Sequence, residues 1–393
     1  MNFEFSEEHN AFREEVRAFL RRTLTPEFWE RHRARGGGGS SPEFSKAAGR
    51  EGWLAIAWPA EYGGRGLSYT EQMIYMEEMV LAGAPIEHHR RAVQQVGPSI
   101  MLFGTEEQKQ SFLPRIASGD LSFAMGLSEP NAGSDLAGVE TTGVRSGDDW
   151  IVNGRKRYTS GAHYSEFLWT MTRTDPDAPK HRGISMFAIP LASPGVRVEP
   201  LIDMQGRHHF NQVFLEDVRV PAKNLIGEEN RGWYVNAATL DFERSGIARY
   251  SFLRRTLDRA ENDLRTLRND RVEIPETGAQ RRRIADAAIR TEVGKNLAYR
   301  VTALQNAGAL PNYEVSIAKL TITETIQQVC NAGVNLHGMH GLLSEEPAVN
   351  DEGSPTMEWG PLYLDAVRHT IGQGAAEIQR NVVANRGLGL PRG

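Results

Sequence analysis

Phe12, Val16, Phe19 and Leu20 recur at helical spacing with charge between them, so the chain opens on an amphipathic helix. "GGGGSS", from Gly36 to Ser41, is a flexible loop by composition. "YTEQMIYMEEMVLAG" reads as another helix, its methionines as core filler rather than a ligand set. In "GTEEQKQSFLPRIASGD", Thr105 stands three residues before Gln108, the spacing of a capping box, so a helix begins there. After about residue 120 the pattern changes. "LSFAMGLS", "DWIVNGRKRYTS", "EFLWTMTRT", "GISMFAIPL", "GVRVEPL" and "NQVFLEDVRV" are short runs rich in Val, Ile, Phe, Trp and Thr, punctuated by Gly, Pro, Asn or Asp. That is the signature of an antiparallel sheet. From about Gly232 helix returns: Ile289, Val293, Leu297, Val301 and Leu304 form one long apolar stripe, and "TITETIQQVCNAGVNL" follows as a further helix. Helix, then sheet, then helix is an α+β order with the sheet segregated in the middle. The expected boundaries are 1–121, 122–231 and 232–393, without an internal repeat.

Size and composition fit that division. At 393 residues the chain is long for one core, and 40% hydrophobic with 24% charged residues is the balance of a soluble globular protein. A net charge of −5 gives no reason to expect nucleic acid or an acidic membrane surface as a partner. Cys330 is the single cysteine, which excludes an internal disulfide and a cysteine-built metal site. No apolar run reaches the roughly 18 residues of a membrane span, and "MNFEFSEEHN" lacks an apolar signal core. A cytoplasmic location is the expectation.

Several common chemistries lack their motifs. No G-x-G-x-x-G stands between a strand and a helix, no G-x-x-x-x-G-K-[ST] occurs, and "GGRGLSY" lacks the third glycine of a dinucleotide fingerprint. "HHR" at 88–90 and "HH" at 208–209 are not spaced as metal ligands on one face, so no metal is expected. "LSEPNAGSD" leaves a strand through a loop that could aim backbone N–H groups and the Ser128 and Ser134 hydroxyls at an anionic or heterocyclic ligand. Taken by itself, it reads first as an ordinary hairpin loop. "KRYTSG" sets an aromatic ring and a hydroxyl two residues apart, hence on one face of a strand.

Four segments taken together carry more. "GWLAIAWPAEYGGRGLS" (52–68), "GTEEQKQSFLPRIASGDLSFAMGLSEPNAGSDLAG" (104–138), "WIVNGRKRYTSGA" (150–162) and "FLEDVRVPAKNLIGEENRGW" (214–233) resemble the acyl-CoA dehydrogenase family in order and spacing over nearly the whole chain, including the late "EIQR". The resemblance implies a helical amino-terminal domain, a central antiparallel β-domain and a carboxy-terminal four-helix bundle, with FAD between the last two near a subunit contact. It implies that Met125 to Ser134 line the flavin, Met125, Leu127 and Gly133 among them, with Ser128 near the ring and Ser134 toward the pyrophosphate. The family's ring-packing Trp and its Thr at flavin N5 fall here on Tyr158 and Ser160.

The proton base has to be found separately. Many members carry a "Y-E-G-T" element whose glutamate takes the substrate's α-proton; aligned on "EIQR", that Glu-Gly pair falls on Gln373 and Gly374. A carboxamide cannot hold the proton. A branch that includes isovaleryl-type members places the glutamate on a bundle helix in an "L-D-x-E-R" context, and "LDFERSG" at 240–246 offers Glu243 with Arg244 beside it. By the resemblance Glu243 is the base in α,β-dehydrogenation of an acyl thioester, flavin N5 takes the hydride, and the Gln373 backbone N–H keeps the family's carbonyl-polarising role. Electrons would then pass to an electron-transferring flavoprotein.

Two family elements are missing. The Arg-x-x-Phe-Gly element has no counterpart in "NDRVEIPETGAQRRR", where Arg271 is a weak substitute, and "NLHGMHG" (335–341) lacks the glutamine of the family's "Q-x-x-G-G-x-G" loop. Both serve the adenosine end of FAD across a dimer contact, so the assembly is open: a homodimer or homotetramer, or a mixed tetramer with a homologous subunit. The closing "LGLPRG" resembles members from bacterial steroid and complex-acid degradation. Two other readings stand beside the dehydrogenase: a non-catalytic subunit of a mixed tetramer, and a flavin monooxygenase on the same fold. The carrier could be coenzyme A or an acyl carrier protein, and "GRHHFNQVF" could face that end or simply pack a loop.

Overall fold

A computed structural model describes residues 4–241, 246–269, 277–343 and 358–391. Its helices, in chain order, are α1 (Glu7–Thr23), α2 (Pro26–Ala34), α3 (Pro42–Arg50), α4 (Tyr69–Leu81), α5 (Glu87–Arg91), α6 (Gly97–Phe103) and α7 (Glu106–Ala117). After the sheet come α8 (Gly232–Asp241), α9 (Ile247–Asn269), α10 (Thr277–Asn306), α11 (Tyr313–Leu336), α12 (Trp359–Ile371) and α13 (Ala376–Val382). The strands are β1 (Phe123–Gly126), β2 (Thr142–Ser146), β3 (Asp149–Lys156), β4 (Phe167–Arg173), β5 (Ile184–Pro190), β6 (Val196–Leu201), β7 (Phe210–Pro221) and β8 (Leu225–Ile226).

Local signals act as their chemistry requires. The Thr105 hydroxyl accepts the Gln108 N–H while the Gln108 side chain accepts the Thr105 N–H, closing the expected capping box at the start of α7. Met73, Met76 and Met79 of α4 are all buried, as core filler should be. By compactness the chain divides into two units: Met1–Gly36, Ser68–Ala84 and Arg244–Gly393 form one, and Gly37–Leu67 with Pro85–Glu243 the other.

In the first, helical unit α11 packs against α9, α10, α12 and α13, and α4 packs against α1, α9 and α10. The helices of the first third therefore do not stay together: α4 is covered by carboxy-terminal helices. Its Glu77 and Glu78, both buried, show why charge is tolerated there. Arg13 of α1 donates to Glu77 at 2.8 Å, Arg17 donates to Glu78 at 2.8 Å, and the Tyr299 hydroxyl of α10 donates to Glu77 at 3.0 Å. The apolar stripe expected on α10 needs correction. Ile289 and Val293 are exposed; the buried face carries Ile284, Ala287, Thr291, Ala298 and Val301. Small residues face the core because α11 comes close: a Cβ on Gly294 would lie 2.9 Å from Ile322 Cγ1.

The second unit is built on one sheet in the order β6-β7-β3-β2-β4-β5-β8, with β1 beside β4. Most pairings are antiparallel as expected, but β1 runs parallel to β4 and β2 meets β4 in parallel at Thr142 and Arg173. Trp150, Val152, Leu168, Phe187, Val213 and Leu215 fill its core, and α8 packs on β4 and β5. At the β3–β7 pairing the register shifts between Val152 and Gly154. There Asn153 and Asp217 exchange hydrogen bonds, Nδ2 to Oδ1 at 3.0 Å and Asp217 N–H to Asn153 Oδ1 at 2.8 Å.

Candidate active site

β1 ends at Gly126, and the chain leaves through Leu127 and Ser128, both half-buried, toward an exposed tip at Gly133 and Ser134. Strand β3 ends at Lys156. The expectation that Tyr158 and Ser160 share a strand face is therefore corrected: both lie beyond β3, and Tyr158 has a left-handed backbone, φ 56°. Backbone bonds impose that course. The Arg157 N–H donates to Ser128 O at 2.8 Å, while Thr159 and Asn211 exchange N–H···O bonds of 3.0 and 3.1 Å. The fold thus joins the two segments singled out on sequence, 125–134 and 158–160, through the Arg157–Ser128 bond.

Two residues that the sequence pattern did not single out lock this junction. Glu129 accepts from the Lys156 ammonium at 2.7 Å, from the Thr141 hydroxyl at 2.6 Å and from the Glu140 N–H at 2.6 Å. Lys156 also donates to Met171 O at 2.7 Å. Burial disfavours the Glu129 charge, but the Lys156 ammonium and the converging donors outweigh it and hold the carboxyl below its ordinary value. For Lys156, burial prevails over the attraction of Glu129 and lowers the ammonium. A signal for Lys156 existed: it shares the parity of Trp150 and Val152, so it is a charge on the buried face of β3. Glu129 gave none, since its partners come from Thr141, Glu140 and Lys156.

Asn211, fully buried at the start of β7, was missed too. Its Nδ2 donates to Thr159 O at 2.9 Å and lies 3.1 Å from His163 Nδ1; its Oδ1 lies 2.7 Å from His208 Nε2. The imidazoles of His163 and His208 stack at 4.0 Å. The histidine-containing "GRHHFNQVF" therefore uses His208 to brace the Tyr158 turn. Among the described residues no group of three or more His, Cys, Asp or Glu could hold a metal.

A planar, partly anionic cofactor fits what this junction offers. The Tyr158 ring is 54% exposed and available for stacking, with Arg157 Cζ 4.9 Å from its centroid. On either side of it in sequence, Arg157 Nε and Thr159 Oγ1 are buried without a hydrogen-bond partner among the described residues. The Ser128 and Ser134 hydroxyls stand on the loop bonded to the same segment.

The remaining expected site residues fall elsewhere. Gln373 and Gly374 form a turn between α12 and α13 in the helical unit, with φ of 56° and 89°. The Lys319 ammonium of α11 donates to Gly374 O, and Gln379 Nε2 donates to the same oxygen at 3.3 Å. Glu243, Arg244 and Arg271 lie outside the described residues.

Comparison with known proteins agrees with the sequence resemblance along the whole chain. Family models match residues 6–120 as the acyl-CoA dehydrogenase N-terminal domain, 124–218 as the middle domain and 230–388 as the C-terminal domain. The acyl-CoA dehydrogenase FadE26 of Mycobacterium tuberculosis is 34% identical over 414 aligned residues, covering 100% of this chain and 99% of that protein. The solved steroid ACAD Tcur3481-Tcur3483 superposes with a TM-score of 0.88 at 32% identity, and the ChsE4-ChsE5 complex from Mycobacterium tuberculosis with 0.84 at 32%, each covering 100% of both chains. With all three domains matched in order, this chain belongs to the acyl-CoA dehydrogenase family, a family of flavoprotein oxidoreductases.

Proposed function

We propose that this chain is an FAD-dependent acyl-CoA dehydrogenase that removes the α- and β-hydrogens of an acyl thioester. The observation that carries the reading is the junction of Ser128 with the Tyr158 turn, where an exposed ring is flanked in sequence by two buried polar atoms, Arg157 Nε and Thr159 Oγ1, without a hydrogen-bond partner among the described residues. In this reading Met125, Leu127, Ser128, Gly133, Ser134, Tyr158 and Ser160 bind the cofactor, with Gly374 contributing backbone. When bound, FAD supplies the hydride acceptor. Glu243 takes the α-proton, because a carboxylate can accept and release it where the Gln373 carboxamide cannot. Arg244, next in sequence, supplies positive charge beside that carboxylate. The Gln373 N–H polarises the thioester carbonyl, which a backbone donor does whatever the side chain. An electron-transferring flavoprotein takes up the electrons. The substrate class is an acyl-CoA of fatty-acid or steroid side-chain type, the latter supported by the steroid ACAD neighbour.

A mixed assembly is the second reading, favoured by a specific feature. In "NLHGMHG", which lacks the family's glutamine, the His337 side chain is taken up inside the unit by Asp263 at 2.9 Å. The neighbours Tcur3481-Tcur3483 and ChsE4-ChsE5 each carry two chain names. Co-purification of a homologous second chain, with activity insensitive to Glu243→Gln, would favour the partner-subunit role.

Anaerobic titration with a panel of acyl-CoA thioesters tests the main reading. Bleaching of the flavin band by an acyl-CoA supports it. A flavin that stays oxidised throughout, with reduction only by another donor, points to the monooxygenase chemistry instead.

A further inference from the structure

The turn that carries Gln373 is held in an uncommon conformation. Two successive residues are left-handed, and the first is not glycine, a state L-residues with a Cβ disfavour and adopt only where the surroundings enforce it. The anchor comes from α11: Lys319 is 5% exposed, lies among the buried Ser316, Ala318, Ile322 and Thr323, and spends its ammonium on the carbonyl of Gly374. A buried lysine is costly unless its charge does something specific. Here it makes a charge-assisted bond to one peptide of the turn. Gln379 adds a neutral donor to that oxygen at 3.3 Å. Burial first, then the nearby Arg249, lowers the Lys319 ammonium to about 8, with Glu377 opposing, so it is largely charged at neutral pH.

We infer that Lys319 is the positioning residue of the turn proposed to bind the thioester: by holding the Gly374 carbonyl it restrains the left-handed Gln373–Gly374 pair and, through it, the direction of the Gln373 N–H further back in the turn. This rests on the proposed carbonyl-polarising role of that N–H. Lys319 does not touch the reacting atoms. Its effect is preorganisation, since a donor displaced by about 1 Å can lose up to ~10²-fold in rate. The chain's own pattern holds a trace of this role, because Lys319 sits in "SIAKLT" on the side of α11 that is otherwise buried.

The test compares Lys319→Met, Lys319→Arg and Glu243→Gln in the FAD-loaded enzyme, with amide hydrogen exchange of 372–376 measured on each. Lys319→Met should lower kcat roughly 10- to 100-fold with KM little changed, and should speed exchange in the turn. Lys319→Arg, which keeps a charged donor, should recover much of both. Should Lys319→Met fail to fold, the shorter and neutral Lys319→Gln carries the same comparison. Wild-type kcat and unchanged exchange in the Met or Gln variant, with Glu243→Gln inactive, overturn the inference and leave the reaction standing. Full activity in Glu243→Gln overturns the reaction, and the inference with it.

Discussion

The Lys156 ammonium lies 2.7 Å from Glu129 Oε1, and the two side chains are 0% and 2% exposed. This pair ties the loop after β1 to the end of β3, the two segments that meet at Ser128 and Arg157. Two buried charges are stable only while each has the other. Lys156→Met should lower the unfolding free energy by ~3–5 kcal/mol, the usual consequence of stranding one member of a buried pair. Adding Glu129→Gln to it should restore part of the loss. Urea denaturation of the two variants measures both; a single variant as stable as the parent contradicts the role assigned to the pair.

Glu243→Gln separates chemistry from binding. Removal of a positioned base lowers turnover by roughly 10²–10⁴-fold. Flavin content should stay at the parent's level, because none of the cofactor residues proposed, in 125–134, in 158–160 and at Gly374, is altered. Steady-state turnover beside the flavin absorbance of the purified variant decides it, and near-parental turnover rejects Glu243 as the base.

Gln373→Ala tests whether the backbone or the side chain matters at the α12–α13 turn. If only the N–H acts, kcat should stay within a few-fold of the parent, because the left-handed backbone and the Lys319 anchor remain. A fall comparable to the ~10²-fold or greater loss expected of a missing base would assign the carboxamide a direct role.

His89 governs a pH effect on stability. Its ring is buried, paired with the Ser45 hydroxyl at 2.8 Å, and lowered from 6.5 to about 3, first by burial and then by His88. The unfolded chain takes up this proton near 6.5 and the folded chain only near 3. Stability from this group is therefore complete above about 6.5 and falls as the pH drops toward 3. In thermal melts between these limits His89→Gln should show a shallower decline than the parent. Parallel declines would mean other groups carry the acid sensitivity.

Features that close within a few residues are legible in the sequence. The capping box of Thr105 and Gln108 is complete within one helical turn, and the buried methionines of α4 follow from helical spacing. The fold class followed from the order of periods, and the site segments from motifs whose residues are near one another in sequence. The α10 stripe misled because Ile289 and Val293 are apolar yet exposed, while Gly294 and Ala298 occupy the face that α11 approaches.

The tertiary structure decided which distant groups meet. Glu129 and Lys156 stand 27 residues apart, and Lys319 and Gly374 stand 55 apart. Periodicity marks Lys156 and Lys319 as charges on buried faces, but it does not name their partners, because an ion's partner depends on which strand or helix is brought beside it. The left-handed backbone of Tyr158 has the same origin: Ser128 and Asn211 pull the chain off the strand path that alternation alone would continue. Sequence by itself therefore determined the kinds of element and the chemistry they carry, through contacts within a few residues. Packing determined how α4 is covered, how the Tyr158 junction closes and what holds the Gln373 turn, because burial gives a charge or a strained residue no stable place without a partner supplied from elsewhere in the chain.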